Sequence, residues 1–199
     1  MNKNISKNVE IELKLLNEIE KKKNHSQRSI SKELNIALGL ANNLIKKFVS
    51  KGFLKLSQAP MKRYFYYITP KGLVEKAKLT SEFLRSSFEF YNKIRNEYEK
   101  EFLKIKKSKP ESVILIGVSE FTEIAILAAK ICDIKIDSII EKNYKKKSFC
   151  EIDVNTTVSK QYFDSKNTFF IVSSRNGVDE FLIRLKKKKI IKPKFLLLD

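Results

Sequence analysis

Apolar positions recur at helical spacing through the first third of the chain. In residues 9–20, Val9, Leu13, Leu16 and Ile19 share one face, and Ile11 and Leu15 widen it. Ser26 follows a polar break and is placed to cap a second helix over residues 27–34, with Ile30 and Leu34 inward. Asn35 suits the left-handed residue of a tight turn. A third helix over residues 38–50 turns Ala41, Leu44, Ile45, Phe48 and Val49 inward and ends at Gly52. Two β-rich runs, 53–57 and 64–69, flank the polar segment 58–63 and predict a hairpin. Three helices, two of them joined by a brief turn, followed by a hairpin predict a winged helix-turn-helix domain.

From Pro70 the pattern becomes one long helix, with Thr69 as its cap. Ala77, Leu84, Tyr91, Tyr98 and Ile105 recur every seven residues, and Leu73, Thr80, Phe88, Ile94 and Phe102 fill the alternate seam. The stripe either packs on its own domain or pairs with a second copy; a three-helix domain is too small to cover so long a stripe, so the spacing predicts a homodimer through residues 73–105. Lys109 and Pro110 close the helix.

Beyond Pro110 the pattern changes to strand–helix alternation. Strands are predicted over residues 112–117, 134–140, 168–174 and 194–199, with a further short one in 149–154. Helices are predicted over 120–131 and 178–188. This order predicts a Rossmann-like α/β domain with a mostly parallel sheet. The expected division is a winged domain over 1–72, a linking and dimerising helix over 73–109, and the α/β domain over 110–199.

Charge sharpens the picture. The 199 residues hold 41 Lys/Arg and 23 Asp/Glu, a net charge of +18. Residues 1–109 carry 25 against 11, and residues 110–199 carry 16 against 12, so the excess lies mainly in the first part. A polyanion is the partner such a balance implies. No apolar run reaches a membrane span, and the N-terminus has no signal-peptide core, so a cytoplasmic location is expected. Two cysteines, Cys132 and Cys150, and one histidine, His25, offer neither a disulfide framework nor a four-ligand metal site. Cys132 is expected in the core and Cys150 in the core or at a strand edge. Tyr162 and Lys166 lie four apart, as in some dehydrogenase sites, but without an intact glycine loop the spacing reads as coincidence. No catalytic arrangement emerges, and an enzyme is not expected.

If Ala41, Leu44, Ile45 and Phe48 point inward, then Asn42, Asn43, Lys46 and Lys47 point outward. Asparagine pairs with adenine, and lysine reaches guanine or phosphate. Leu38 and Leu40 fit thymine methyls or the underside of the hairpin. Lys62 and Arg63 at the hairpin tip suit a minor-groove or backbone contact. Ser26, Gln27 and Arg28, at a helix start, suit a phosphate. The expected partner is double-stranded DNA.

Residues 27–36 (Gln27, Arg28, Ser29, Ile30 through Ile36), Leu38-Gly39, Asn42 through Gly52, and the stretch from Tyr64 through Thr80 resemble MarR-type winged-helix regulators associated with exopolysaccharide gene clusters. The specific part is Thr69-Pro70-Lys71-Gly72 running on to Glu75-Lys76-Ala77-Lys78-Leu79-Thr80. The resemblance covers about residues 9–105. It implies a DNA-binding transcription regulator of surface-polysaccharide genes. Such proteins commonly stop near the end of the long helix, so the second half is read on its own residues.

There the dinucleotide fingerprint of three glycines falls on Gly117, Ser119 and Thr122, and only the first glycine is present. Glu120 adds negative charge where phosphate would sit. Glu141 stands where an acidic residue would take a ribose hydroxyl. Ser173, Ser174, Arg175 and Asn176 form a second strand-to-helix junction suited to an anion. Gly117, Ser119, Glu141, Ser174, Arg175 and Asn176 are therefore the candidates for a nucleotide or nucleotide-sugar effector. Against this stands a purely structural or dimerising domain, and no cofactor is assigned. Two other classes are a redox-sensing repressor that binds a dinucleotide, and a nucleotide-sugar enzyme with a basic appendage.

Overall fold

A computed structural model describes residues 3–21, 26–59, 63–175, 178–185 and 188–197. The chain forms two compact units, residues 1–88 and 89–199.

The first unit comprises α1 (Lys3–Lys21), α2 (Gln27–Glu33), α3 (Leu38–Ser50), β1 (Leu54–Ala59), β2 (Arg63–Ile68) and the start of α4 (Pro70–Lys107). Its core gathers Leu15 and Leu16 of α1, Ile30 of α2, Ala41, Ile45 and Phe48 of α3, Tyr66 of β2 and Leu79 of α4. Ser26 caps α2 through a reciprocal pair: the Ser29 N–H donates to Ser26 Oγ, and the Ser26 N–H donates to Ser29 Oγ, both at 3.0 Å. Asn35 turns the chain between α2 and α3 at φ 51°. β1 and β2 form the antiparallel wing, with Leu54 opposite Ile68 and Lys55 opposite Tyr67. Thr69 fixes the start of α4: its hydroxyl donates to the Gly52 carbonyl at 2.6 Å and accepts the Gly72 N–H at 3.0 Å.

The second unit is a six-stranded sheet in the order β5-β6-β4-β3-β7-β8. Its strands are β3 (Ser112–Ile116), β4 (Ser138–Ile140), β5 (Ser148–Phe149), β6 (Ile152–Asn155), β7 (Thr168–Val172) and β8 (Lys189–Ile191). All neighbours pair in parallel except β5, which pairs antiparallel to β6. β3 and β7 are buried at almost every position, as both faces of a parallel sheet require. The helices are α5 (Glu120–Ile131), α6 (Lys160–Asp164), which the periodicity does not signal, and α7 (Asp179–Arg184). This is a Rossmann-like arrangement.

Several details depart from the sequence reading. The last strand is β8, not residues 194–199. Pro193 breaks the chain after β8, and Lys194–Leu197 form a 3₁₀ turn. Its Phe195 is buried at 5.3 Å from the rings of both Tyr98 and Phe121. Residues 198–199 lie outside the described residues. β4 begins only at Ser138, because the Asp137 carboxylate accepts the Val113 N–H at 2.9 Å where a strand would offer a carbonyl. Cys150 is exposed in the turn between β5 and β6, at φ 48°, and not in a core or strand edge.

The largest difference concerns α4. The expected seam from Leu73 to Ile105 is not one surface. Ile94, Tyr98, Phe102 and Ile105 are buried in the core of the second unit, with Leu115, Ala128 and Ile171. Leu73, Leu84 and Phe88 remain exposed. The boundary between the units therefore falls inside α4, at Phe88–Glu89, and not at Lys109. The apolar stripe divides into a buried and an exposed part, and heptad spacing alone does not separate them.

Candidate nucleic-acid interface

α3 presents its buried residues Ala41, Ile45 and Phe48 on one arc. At about 100° per residue, the opposite arc is centred on Asn43 and takes in Gly39, Lys46, Lys47 and Ser50. All five are exposed. Asn43 and Lys46 thus stand where the sequence predicts. Lys46 has no ion pair among the described residues. Lys47 differs: it is ion-paired with Glu12 of α1, which holds its ammonium toward the protein. Asn42 lies on the flank, half-buried, and its Oδ1 is enclosed without a hydrogen-bond partner, so it does not share the outward arc. Leu38 and Leu40 are 40% and 44% exposed, so neither packs beneath the wing.

At the start of α2 the Ser26 hydroxyl is engaged in capping and Gln27 is half-buried, which leaves Arg28 exposed. Lys62 and the side chain of Arg63 lie outside the described residues, as does His25. Three features escape the sequence reading. Gly39 has open space where a β-carbon would stand, in the first turn of α3, where the Ala37 cap offers no side-chain hydrogen bond. Lys55 and Tyr67 pair on the exposed face of the wing, a placement that strand alternation from Leu54 would have signalled. Lys51 and Lys71 approach the Phe53 ring at 5.7 Å and 5.6 Å and gather charge at the base of the wing.

The candidate effector residues lie at the carboxyl edge of β3 and β7, where strand order reverses. They are turned inward on one another. Gly117, at φ 93°, packs so closely on Ser174 that a β-carbon would overlap its Cβ, with Val178 Cγ1 at 3.2 Å behind it. Ser119 Oγ donates to the Ser173 carbonyl at 2.6 Å, and Ser173 Oγ donates to the Gly117 carbonyl at 2.8 Å. Thr122 Oγ1 donates to the Gly117 carbonyl at 3.0 Å and accepts the Ser119 N–H at 2.9 Å. Glu141, expected to take a ribose hydroxyl, accepts the N–H groups of Val118 and Asn143 instead, each at 3.3 Å. Arg175 donates to the Phe195 carbonyl at 2.9 Å. Asn176 lies outside the described residues. A phosphate cradle needs free N–H groups and open space beside the glycine. Here Ser174 fills that space, so the residues do not fit a dinucleotide.

Among the described residues no three His, Cys, Asp or Glu converge as a metal site, and no helix is long and apolar enough to cross a membrane.

Residues 10–55 match a family model described as winged helix-turn-helix DNA-binding. The first unit is a winged helix-turn-helix domain. No curated protein matches the chain. Among solved structures the chain is similar to human N-acetylserotonin methyltransferase, crystallised in complex with SAM, at 12% identity and a TM-score of 0.32. That match covers 84% of this chain and 66% of the methyltransferase. So loose a likeness carries no chemistry across.

Proposed function

We propose that the chain is a dimeric, sequence-specific regulator of transcription that reads duplex DNA with α3 and catalyses no reaction. The observation that carries this reading is the outward arc of α3, on which Asn43 and the unpaired Lys46 stand exposed opposite Ala41, Ile45 and Phe48. In helix-turn-helix proteins such a face enters the major groove. Arg28 and Lys55 are placed to hold backbone phosphates beside it.

Dimerisation is assigned to the exposed part of the α4 stripe, around Leu73, Leu84 and Phe88. Two copies would then present two recognition helices to successive half-sites. The Thr69-Pro70-Lys71-Gly72 junction supports a MarR-type regulator of polysaccharide genes, acting in the cytoplasm. The packed loop at Gly117 favours an assembly role for the second unit over nucleotide sensing there.

The test is selection of duplexes from a random-sequence pool by the full chain, followed by anisotropy titration. An enriched motif whose affinity falls at least tenfold in the Asn43→Ala, Lys46→Gln double variant supports the proposal. No enrichment, or unchanged affinity in the variant, overturns it.

A further inference from the structure

The second unit has a groove of its own, a cavity of about 1120 Å³ between the last five turns of α4 and the segment from β8 to Lys194. Its lining carries a net positive charge, with Leu103, Ile190, Ile191 and Pro193 as apolar neighbours of the lysines. Lys93, Lys100 and Lys107 lie along α4, and Lys192 and Lys194 face them from the other wall. None of these five has an ion pair among the described residues. Three carboxylates share the lining: Glu101 is paired with Lys104 at 2.7 Å, Glu97 accepts the backbone N–H of Lys194 and keeps its charge, and Glu89 lies at the far end, so the lysines outnumber them six to three. Seven Lys/Arg of residues 93–109 thus belong to this unit, although they fall within residues 1–109, to which the sequence assigns the excess charge.

The occupant follows from shape and chemistry. From Lys93 to Lys107 is about 21 Å of helix, the axial rise of about six phosphates on one strand of a duplex. Asn92 and Asn96 add amide donors between the lysines. Among the described residues no aromatic side chain lines the groove, so they offer no platform on which bases of a single strand would stack. We infer that this groove is a second, sequence-independent contact to the backbone of duplex DNA. The inference rests on the regulator reading and extends it: α3 selects the site, and the groove adds affinity without selectivity.

The experiment measures log Kd against log salt for the full chain on a 40-base-pair duplex of unrelated sequence and on the selected duplex. Wild type is compared with a groove variant (Lys93→Gln, Lys100→Gln, Lys107→Gln), a charge-preserving variant with arginine at the same three positions, and Lys46→Gln. Each lost phosphate contact removes about 0.9 from the slope. The groove variant is expected to lose about 2 to 3 from the slope for each bound protomer on both duplexes, with the ratio of the two affinities unchanged and the arginine variant like wild type. An unchanged slope in the groove variant, while Lys46→Gln weakens binding, overturns the groove and leaves the regulator reading intact. Failure of the wild type to bind either duplex overturns both. A loss confined to an acidic polypeptide probe, such as polyglutamate, assigns the groove to a protein partner and overturns it as a DNA contact. All three lysines are exposed, and matching thermal melts exclude misfolding as the cause.

Discussion

Gly72, in the first turn of α4, lies directly against the backbone carbonyl of Phe53, with no room for a β-carbon between them. The Thr69 hydroxyl ties the same two segments together from the side, donating to Gly52 and Phe53. Ordinarily Gly→Ala in a helix stabilises by up to about 1 kcal/mol. At Gly72 the sign reverses, because either the helix or the wing must move. Gly72→Ala is expected to cost about 1–3 kcal/mol, read as a lowered thermal midpoint. Gly39→Ala, at an open and exposed site on α3, is expected to stabilise by about 0.4–1 kcal/mol, read as a slightly raised midpoint. A stabilising Gly72→Ala would show that the junction yields freely.

Lys46 and Lys47 are adjacent, both cationic and both exposed, yet only Lys47 is tied to Glu12. Lys46→Gln is expected to lower DNA affinity and the salt slope by about 0.9 for each bound protomer, the contribution of one phosphate. Lys47→Gln is expected to do less. Releasing Lys47 by Glu12→Gln is expected to strengthen binding and steepen the slope. Equal effects of the two lysine variants would place the ion pair aside in the complex and deny Glu12 a role.

The winged domain was legible because its signals are local. Ser26 caps α2, Asn35 takes a positive φ, and Ala41, Ile45 and Phe48 recur at helical spacing, all as the residues themselves require. Lys47 stands outward as its spacing requires, but its partner is not legible, because helix geometry fixes an angle and not a contact, and Glu12 comes from thirty-five residues away. The glycine loop was read for missing glycines. What fills the space is Ser174, which arrives from β7 and is invisible to any motif. The α4 stripe shows the same limit. Periodicity marks Leu84 and Phe102 alike as apolar, and only the tertiary fold shows which one the chain itself covers.

That division of α4 gives opposite expectations for its two halves. Phe88 is 65% exposed and Leu84 49% exposed, so polar replacement removes little packing within one chain. Leu84→Gln with Phe88→Gln is expected to convert dimers to monomers in sedimentation velocity, with the thermal midpoint of the monomer preserved. Phe102 is fully buried, and Phe102→Ala is expected to cost about 3–5 kcal/mol through the cavity it leaves. A double variant that remains dimeric would move the interface off this helix.

Alkaline pH offers a separate probe of the second core. Burial pushes the Tyr98 phenol well above its ordinary range, with Glu97 adding to the shift. Burial also raises the Cys132 thiol, helped by Glu99 and opposed by Lys106. Both groups hold their protons more tightly when folded, and the unfolded chain therefore binds fewer protons at alkaline pH. Stability is fully present below the ordinary thiol and phenol ranges and falls as pH rises through them. Thermal midpoints are expected to be flat near neutrality and to decline above about pH 8.5, where thiols ordinarily begin to ionise. Tyr98→Phe removes the phenol and its 3.3 Å hydrogen bond to the Val172 carbonyl. It is expected to lower the midpoint at neutral pH and flatten the alkaline decline. An equally steep decline in this variant would locate the alkaline transition outside the Tyr98 core.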